Sequence, residues 1–254
     1  KYQGLQARQI VISNAITRAA QGITLVEKRI LFSALGKMQG EFDEIQISAQ
    51  EYSDTFEIDI DTAYLQLKNS IRNFRKRYIA LAEKNRTGES NWEINWVSYI
   101  RYSDQMAYVT IKFNPDIAPF LFNLQSQFTK YQLKQACALR SIYSWRMLEI
   151  FEQMRSSTER VKDKNGWLII SLEEFIHAMQ IPKSYQSNFG VIRQKVIEPA
   201  IEELTHKDNW VIEFEPIKLY FGKILFFALD EAIISPLLPN RSIKTGNSER
   251  AFSP

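Results

Sequence analysis

Cysteine is nearly absent: the 254-residue chain has one, Cys137. A single thiol excludes an internal disulfide framework and a cysteine-based zinc site, and it fits a reducing compartment. Its neighbours Ala136, Ala138 and Leu139 make it a buried, inert thiol. Histidine is almost as scarce. His177 and His206 stand far apart, without a second His at metal-ligand spacing. A rolling-circle nickase needs a metal-binding His pair beside a nucleophilic Tyr, and that pair is missing. His177 reads as a polar position on a short helix, and His206 as a residue at a helix C-terminus, where the dipole favours it. Glycine and proline number 9 and 8, which disfavours a loop-rich all-β fold. There is no Walker-type glycine loop to hold a nucleotide. The acidic pairs Glu173-Glu174 and Glu202-Glu203 fall on polar helix phases, as solvated faces do. No cofactor and no metal are therefore expected. No apolar run is long enough to span a bilayer, so no membrane partner is expected. The opening "KYQGLQARQIVISNAI" lacks the apolar stretch of a signal peptide.

What is present is a core's worth of apolar material. Hydrophobic residues make up 45% and aromatics 13%, enough for one large domain or two of ordinary size. The net charge of +3 says little by itself, so the placement of the cations matters more than their sum.

Two stretches agree in detail. Residues 47–58 read "ISAQEYSDTFEI" and residues 170–181 read "ISLEEFIHAMQI", at an offset of 170 − 47 = 123. In each, Ser is followed three positions later by Glu, the pattern of a helix capping box. The surroundings agree too. In the first half, "TLVEKRILFSALGKMQ" (24–39) carries one apolar helical stripe, and "EIQIS" (44–48) is a short strand. A helix starts at Ser48, and a second starts near Asp61 or Thr62 and runs on through "AYLQLKNSIRNFRKRYIALAEK". Strands follow at 92–102 and 106–113. In the second half, 140–155 is a helix, 166–171 a strand, 172–181 a helix and 184–204 a longer helical segment. Strands at 210–217 and 224–230 close it. Arg29-Ile30-Leu31 answers Arg146-Met147-Leu148 in the leading helices. The expected fold is α+β: two tandem winged-helix domains related by internal duplication, each a helix-turn-helix backed by a β-hairpin. The expected boundaries are 1–123, 124–235 and a flexible polar tail, 236–254. The connector "NPDIAPFLFNLQSQFTKYQLKQACA" is apolar enough to pack between the domains.

The cations cluster where such a fold reads DNA. "KNSIRNFRKR" (68–77) holds five cations and no acid. Ala63, Leu67, Ile71, Phe74, Tyr78 and Leu81 form the core stripe of its helix. Asn69, Asn73 and Lys76 lie opposite with Gln66, and Lys68, Arg72 and Arg75 flank them. Asn reads an adenine edge, Arg a guanine edge, and flanking cations hold phosphates. The competing account is a basic surface helix whose last-turn cations offset its dipole. In the second half, Ser184, Tyr185, Gln186, Ser187 and Asn188 stand at a helix entrance as uncharged partners for bases and phosphates, with Arg193, Gln194 and Lys195 further on. An ordinary capped helix start would look the same. Pro199 sits awkwardly inside this helix.

"FNPDIAPFLFNLQSQFTKYQL" (113–133) closely resembles the junction segment of the iteron-binding plasmid replication initiators, the Rep proteins of theta-replicating plasmids. "SIYSWRMLEIFEQ" (141–153) and "SYQSNFGVIRQKVIEPAIEEL" (184–204) resemble, in that family, the helix after the junction and the second recognition helix. The likeness runs over roughly residues 10–231. It implies a non-catalytic bacterial cytoplasmic protein that binds double-stranded DNA: origin direct repeats as a monomer, and an operator inverted repeat as an autorepressing dimer. Host initiator and replicative helicase are the implied protein partners. It also implies that the second domain does most of the base reading, through 184–188 and 193–195, and that the first supplies weaker contacts and the dimer surface. A winged-helix repressor without a replication role would share every feature read from the residues alone. A protein-interaction module with a merely solvated basic face is the further alternative.

Overall fold

The computed structural model of the protein describes residues 4–41, 43–74, 76–85, 88–103, 106–156, 167–217 and 223–230. The expected tail and Arg75 lie outside the described residues.

The first half contains β1 (Gln9–Ser13), α1 (Asn14–Arg18), α2 (Leu25–Lys37), β2 (Glu44–Ser48), α3 (Ala49–Phe56), α4 (Ile60–Phe74), β3 (Tyr78–Asn85), β4 (Gly88–Asn95), β5 (Val97–Ser103) and β6 (Tyr108–Phe113). The connector forms β7 (Phe128–Gln132) and α5 (Leu133–Cys137). The second half contains α6 (Ile142–Ser156), β8 (Trp167–Ser171), α7 (Leu172–Met179), α8 (Lys183–Gln186), α9 (Phe189–Ile192), a π-helical turn (Arg193–Ile197), α10 (Glu198–Asp208), β9 (Trp210–Ile217) and β10 (Lys223–Asp230).

The duplication is visible in the sheets. One three-stranded sheet has the order β2-β6-β5 and the other β8-β10-β9, the same winding in both halves. Ser48 ends its strand opposite Tyr108, and Ser171 ends its strand opposite Lys223. Each Ser then caps a helix: Ser48 Oγ accepts from the Glu51 amide and Ser171 Oγ from the Glu174 amide, both at 3.1 Å. At α7 the box is complete, with Glu174 returning to the Ser171 amide at 3.2 Å. At α3 the Glu51 carboxylate instead takes Lys37 Nζ at 2.9 Å, so only the first half of the expected box is in place. Both helices end on a left-handed residue, Glu57 at φ 51° and Gln180 at φ 51°. That turn redirects the chain into the next helix at the same place in each repeat.

The second helix of the first half is shorter than expected. Its apolar stripe, Ala63, Leu67 and Phe74, is fully buried, and the helix then stops. The Ile71 side chain lies outside the described residues. Lys76 and Arg77 close a turn onto the carbonyls of Asn73 and Phe74. The run "YIALAEKN" becomes a strand, with Ile79 and Leu81 buried and Tyr78 exposed. Its spacing fits both periods over so short a span, and pairing with β4 decides for the strand. The expected strand 92–102 is likewise two strands. They part at Trp96, which is buried and donates its indole N–H to the Gln21 carbonyl at 2.7 Å.

The long helical segment 184–204 is broken. Pro199, in the first turn of α10, lacks the N–H that a continuous helix would use, and the backbone widens into the π turn just before it. The connector folds back: β7 pairs antiparallel with β1. Its Ile117, Leu121, Tyr131 and Leu133 are buried, as its composition requires. Among the described residues no helix is long and apolar enough to cross a membrane.

Candidate nucleic-acid interface

The first-domain candidates gather on one solvent face. Ala63, Leu67 and Phe74 anchor α4 inward, and Lys68, Asn69, Arg72 and Asn73 point outward and are exposed. Asp59 fixes the helix start, with its carboxylate accepting from the Thr62 amide at 2.8 Å. The Thr62 hydroxyl, together with that amide, holds the Asp59 carboxyl below its usual range. Lys76 is exposed just past the helix end. Gln66 is less available: it is partly buried and its carbonyl accepts from Tyr52 O–H at 2.9 Å. Lys68 Nζ lies 5.9 Å from the Tyr64 ring centroid.

The second-domain candidates divide between presenting and building the surface. Ser184, Gln186, Ser187, Asn188, Gln194 and Lys195 are exposed, although Gln186 and Asn188 also bond within the surface. Tyr185 is half-buried against the core. Gln186 spends its amide N–H on the Ile181 carbonyl at 2.7 Å. Asn188 caps α9, accepting from the Gly190 amide at 2.8 Å. Arg193, Gln194 and Lys195 are three successive exposed residues, followed by two buried ones, Val196 and Ile197. A regular helix does not separate its faces so sharply over five residues; the π turn does. The Arg193 guanidinium is pre-set. Its Nε donates to Glu198 Oε1 at 2.6 Å, and the group lies 5.9 Å over the Phe214 ring of β9.

Between the halves runs an open groove of about 800 Å³, lined by Lys76, Arg77 and Tyr78 on one side and Arg140, Tyr143 and Gln180 on the other. Arg77 pairs with Glu27 at 2.9 Å, and Arg140 donates to the Phe56 and Cys137 carbonyls. The groove thus brings polar and cationic side chains of both halves together, with Glu93 also on its wall. Among the described residues no group of three or more His, Cys, Asp and Glu could hold a metal ion. Burial pushes the Cys137 thiol up to about 12, which makes it a poor nucleophile.

Sequence reasoning missed the parts that hold these faces in place. Glu198 and Phe214, which set Arg193, lie in segments read only as a helix and a strand. Glu27, Lys28, Arg29, Arg146 and Glu149 carry charges on helices that sequence alone gives no reason to bury, yet all five are buried. The one available signal was the matched Arg29 and Arg146 in the repeat.

Residues 9–152 match the family described as "Initiator Replication protein, WH1", and residues 171–223 match "Initiator Rep protein, WH2". An uncharacterized 27.6 kDa protein of Escherichia coli is 22% identical over 236 residues, covering 86% of this chain and 93% of that protein. The crystal structure of Pi initiator protein in complex with iteron DNA is 21% identical and has a TM-score of 0.72, covering 89% of this chain and 99% of that one. The WH1 domain of MSBI1.176, a replication protein isolated from a multiple sclerosis patient, is 31% identical over 39% of this chain and 78% of that one, with a TM-score of 0.34. The Pi likeness shows the shared fold, from the first winged helix through the second. With the first family match spanning more than half its length, the chain belongs to the initiator replication proteins and carries both of their winged-helix domains.

Proposed function

We propose that the protein binds the direct repeats of a plasmid origin sequence-specifically and starts replication there, without catalysis of its own. One observation carries this reading: a family of replication initiators has two winged helices, and here each presents an exposed, polar and cationic second-helix face. Division at 123/124 gives each half one such face. Within them, Lys68, Asn69, Arg72, Asn73, Arg75 and Lys76 supply the first set of contacts. Ser184, Tyr185, Gln186, Ser187, Asn188, Arg193, Gln194 and Lys195 supply the second. Ser184, Ser187, Arg193, Gln194 and Lys195 meet DNA directly, and Tyr185, Gln186 and Asn188 hold the surface that presents them. Pi initiator protein has been crystallised with iteron DNA, and the same class of ligand suits this chain. A dimer that represses its own promoter at an inverted repeat, and recruitment of the host initiator and helicase, complete the proposal. Two reading heads on one face of DNA span about two helical turns, or roughly 20 bp.

Selection from a random-sequence duplex library tests this. The protein should enrich one motif of about that length and bind it with an affinity that falls steeply with salt. Equal binding to random duplexes would contradict the specific reading.

A further inference from the structure

The leading helices of the two halves are buried nearly all round, charged residues included. In α2 every residue from Glu27 to Leu35 is buried, and in α6 every one from Ser144 to Glu152. Packing inside one winged helix needs a single apolar stripe. These helices have a second buried face, and its partners belong to the other half of the chain.

Glu149 is the centre. Its Oε1 takes Lys28 Nζ from α2 at 2.7 Å and Tyr131 O–H from β7 at 3.0 Å. Its Oε2 takes Gln21 Nε2 at 3.1 Å and the Arg146 guanidinium. Arg146 goes further and donates to main-chain carbonyls: Thr17 at 2.7 Å, Ala19 at 2.9 Å and Ala178 at 3.1 Å. One side chain thus ties α6 and α7 to the segment around the end of α1. Arg29, its counterpart in the repeat, returns the link. Its Nη2 donates to the Leu139 carbonyl, just ahead of α6, at 2.9 Å.

Burying this many charges is a costly route to stability, since apolar side chains of similar volume often do as well or better. Directional bonds to carbonyl oxygens supply what apolar contacts do not, a single relative placement of two backbones. We propose that Lys28, Arg29, Arg146 and Glu149 are positioning residues that hold the two winged helices at one spacing and phase. The interface between the halves then selects the length of the DNA site, while the recognition helices select its bases. This holds only if both winged helices read the same duplex, as proposed above. One added base pair shifts the far half of a site by about 3.4 Å and turns it by about 35°. A fixed pair of heads cannot follow that change, and a hinged pair can.

The probe is the duplex that the wild-type protein selects from a random library, remade with one base pair inserted at its centre. Wild type should bind the inserted duplex at least about 30-fold more weakly. A triple variant, Lys28→Met with Arg146→Met and Glu149→Leu, replaces the polar cluster by apolar volume. It should still melt cooperatively, and its insertion ratio should fall below about fivefold. Arg146→Lys keeps the charge but loses the fork, so its ratio should fall between the two. A purely structural role would weaken binding to both duplexes alike and leave the ratio at its wild-type value. That result overturns the proposal, as does a wild-type protein that tolerates the insertion. If the triple variant does not fold, the Arg146→Lys ratio decides. If the wild type enriches no motif, the two-headed DNA reading fails, and this proposal with it.

Discussion

Arg193 is held before any DNA arrives. Glu198 takes its Nε and Phe214 lies beneath it, so its position needs little ordering on binding. The pair is well exposed, 58% and 43% for the two side chains, and contributes little to stability. Its value is in aiming the guanidinium. Arg193→Ala should cost about 1–3 kcal/mol of binding to the selected motif and relax discrimination at one position. Titrations on the motif and its single-base variants check this. Lys76→Ala should instead weaken all duplexes alike and lower the salt slope by about one. Neither change should alter the melting temperature by more than about one degree.

The buried charges behave differently. Burial, the largest influence on Lys28, lowers its ammonium to about 7 against the pull of Glu149. Burial pushes Glu149 up, but the charges of Lys28 and Arg146 and the hydrogen bonds from Lys28 and Tyr131 outweigh it and hold the carboxyl below its ordinary value. The two shifts act on stability in separate windows. Glu149 stabilises above its ordinary range, near 4.5, and that contribution is lost as pH falls through its lowered value. Lys28 is charged in both states below about 7, where the cost of burying it is fully present. From there up to about 10.5 the unfolded chain holds a proton that the folded one lacks, so stability rises with pH. Wild type should therefore gain on Lys28→Met between pH 7 and 9, by at most about 1.4 kcal/mol per unit. At pH 6 the Lys28→Met variant should lose little, because Arg146 still pairs with Glu149. Glu149→Leu strands two cations and should cost about 3–5 kcal/mol. Urea melts across pH measure both; equal losses would contradict the assignment.

At the scale of elements, the repeat was legible because its devices are local. A Ser cap with Glu three residues on needs only four residues to be recognised, and both caps are in place at Ser48 and Ser171. Ser171→Ala should cost about 1 kcal/mol, read as a shift in urea midpoint at constant slope. What was not legible depends on partners far along the chain. The strand β3 follows α4 because β4 pairs with it, and nothing within "YIALAEKN" says so. The break at Arg193–Ile197 was half visible in Pro199, whose missing N–H marks the trouble without saying how the backbone resolves it. Gly22 joins α1 to α2 at φ +67°, and a Cβ there would stand 2.4 Å from the Tyr78 carbonyl oxygen. Its amide donates to Gln180 Oε1 at 2.8 Å, another bond between the halves. Gly22→Ala should destabilise by more than about 1 kcal/mol. A variant as stable as wild type in thermal melts would contradict that close approach.

At the scale of the molecule, two copies of one small fold have become a single body. Each half keeps its own three-stranded sheet and helix-turn-helix, and the β1–β7 ladder and the polar cluster around Glu149 join them. The duplication was readable from sequence, but the joint was not, because its charged residues look like surface. Their bonds across the joint reach partners more than a hundred positions away, as Lys28 does with Glu149. Such a body suits one long DNA site better than two short ones. Footprinting on the DNA upstream of the coding region tests that most directly. The expected result is protection of tandem direct repeats, each roughly 20 bp and contacted across two successive turns of one face. Protection without sequence preference, or of an isolated inverted repeat alone, would contradict the initiator reading.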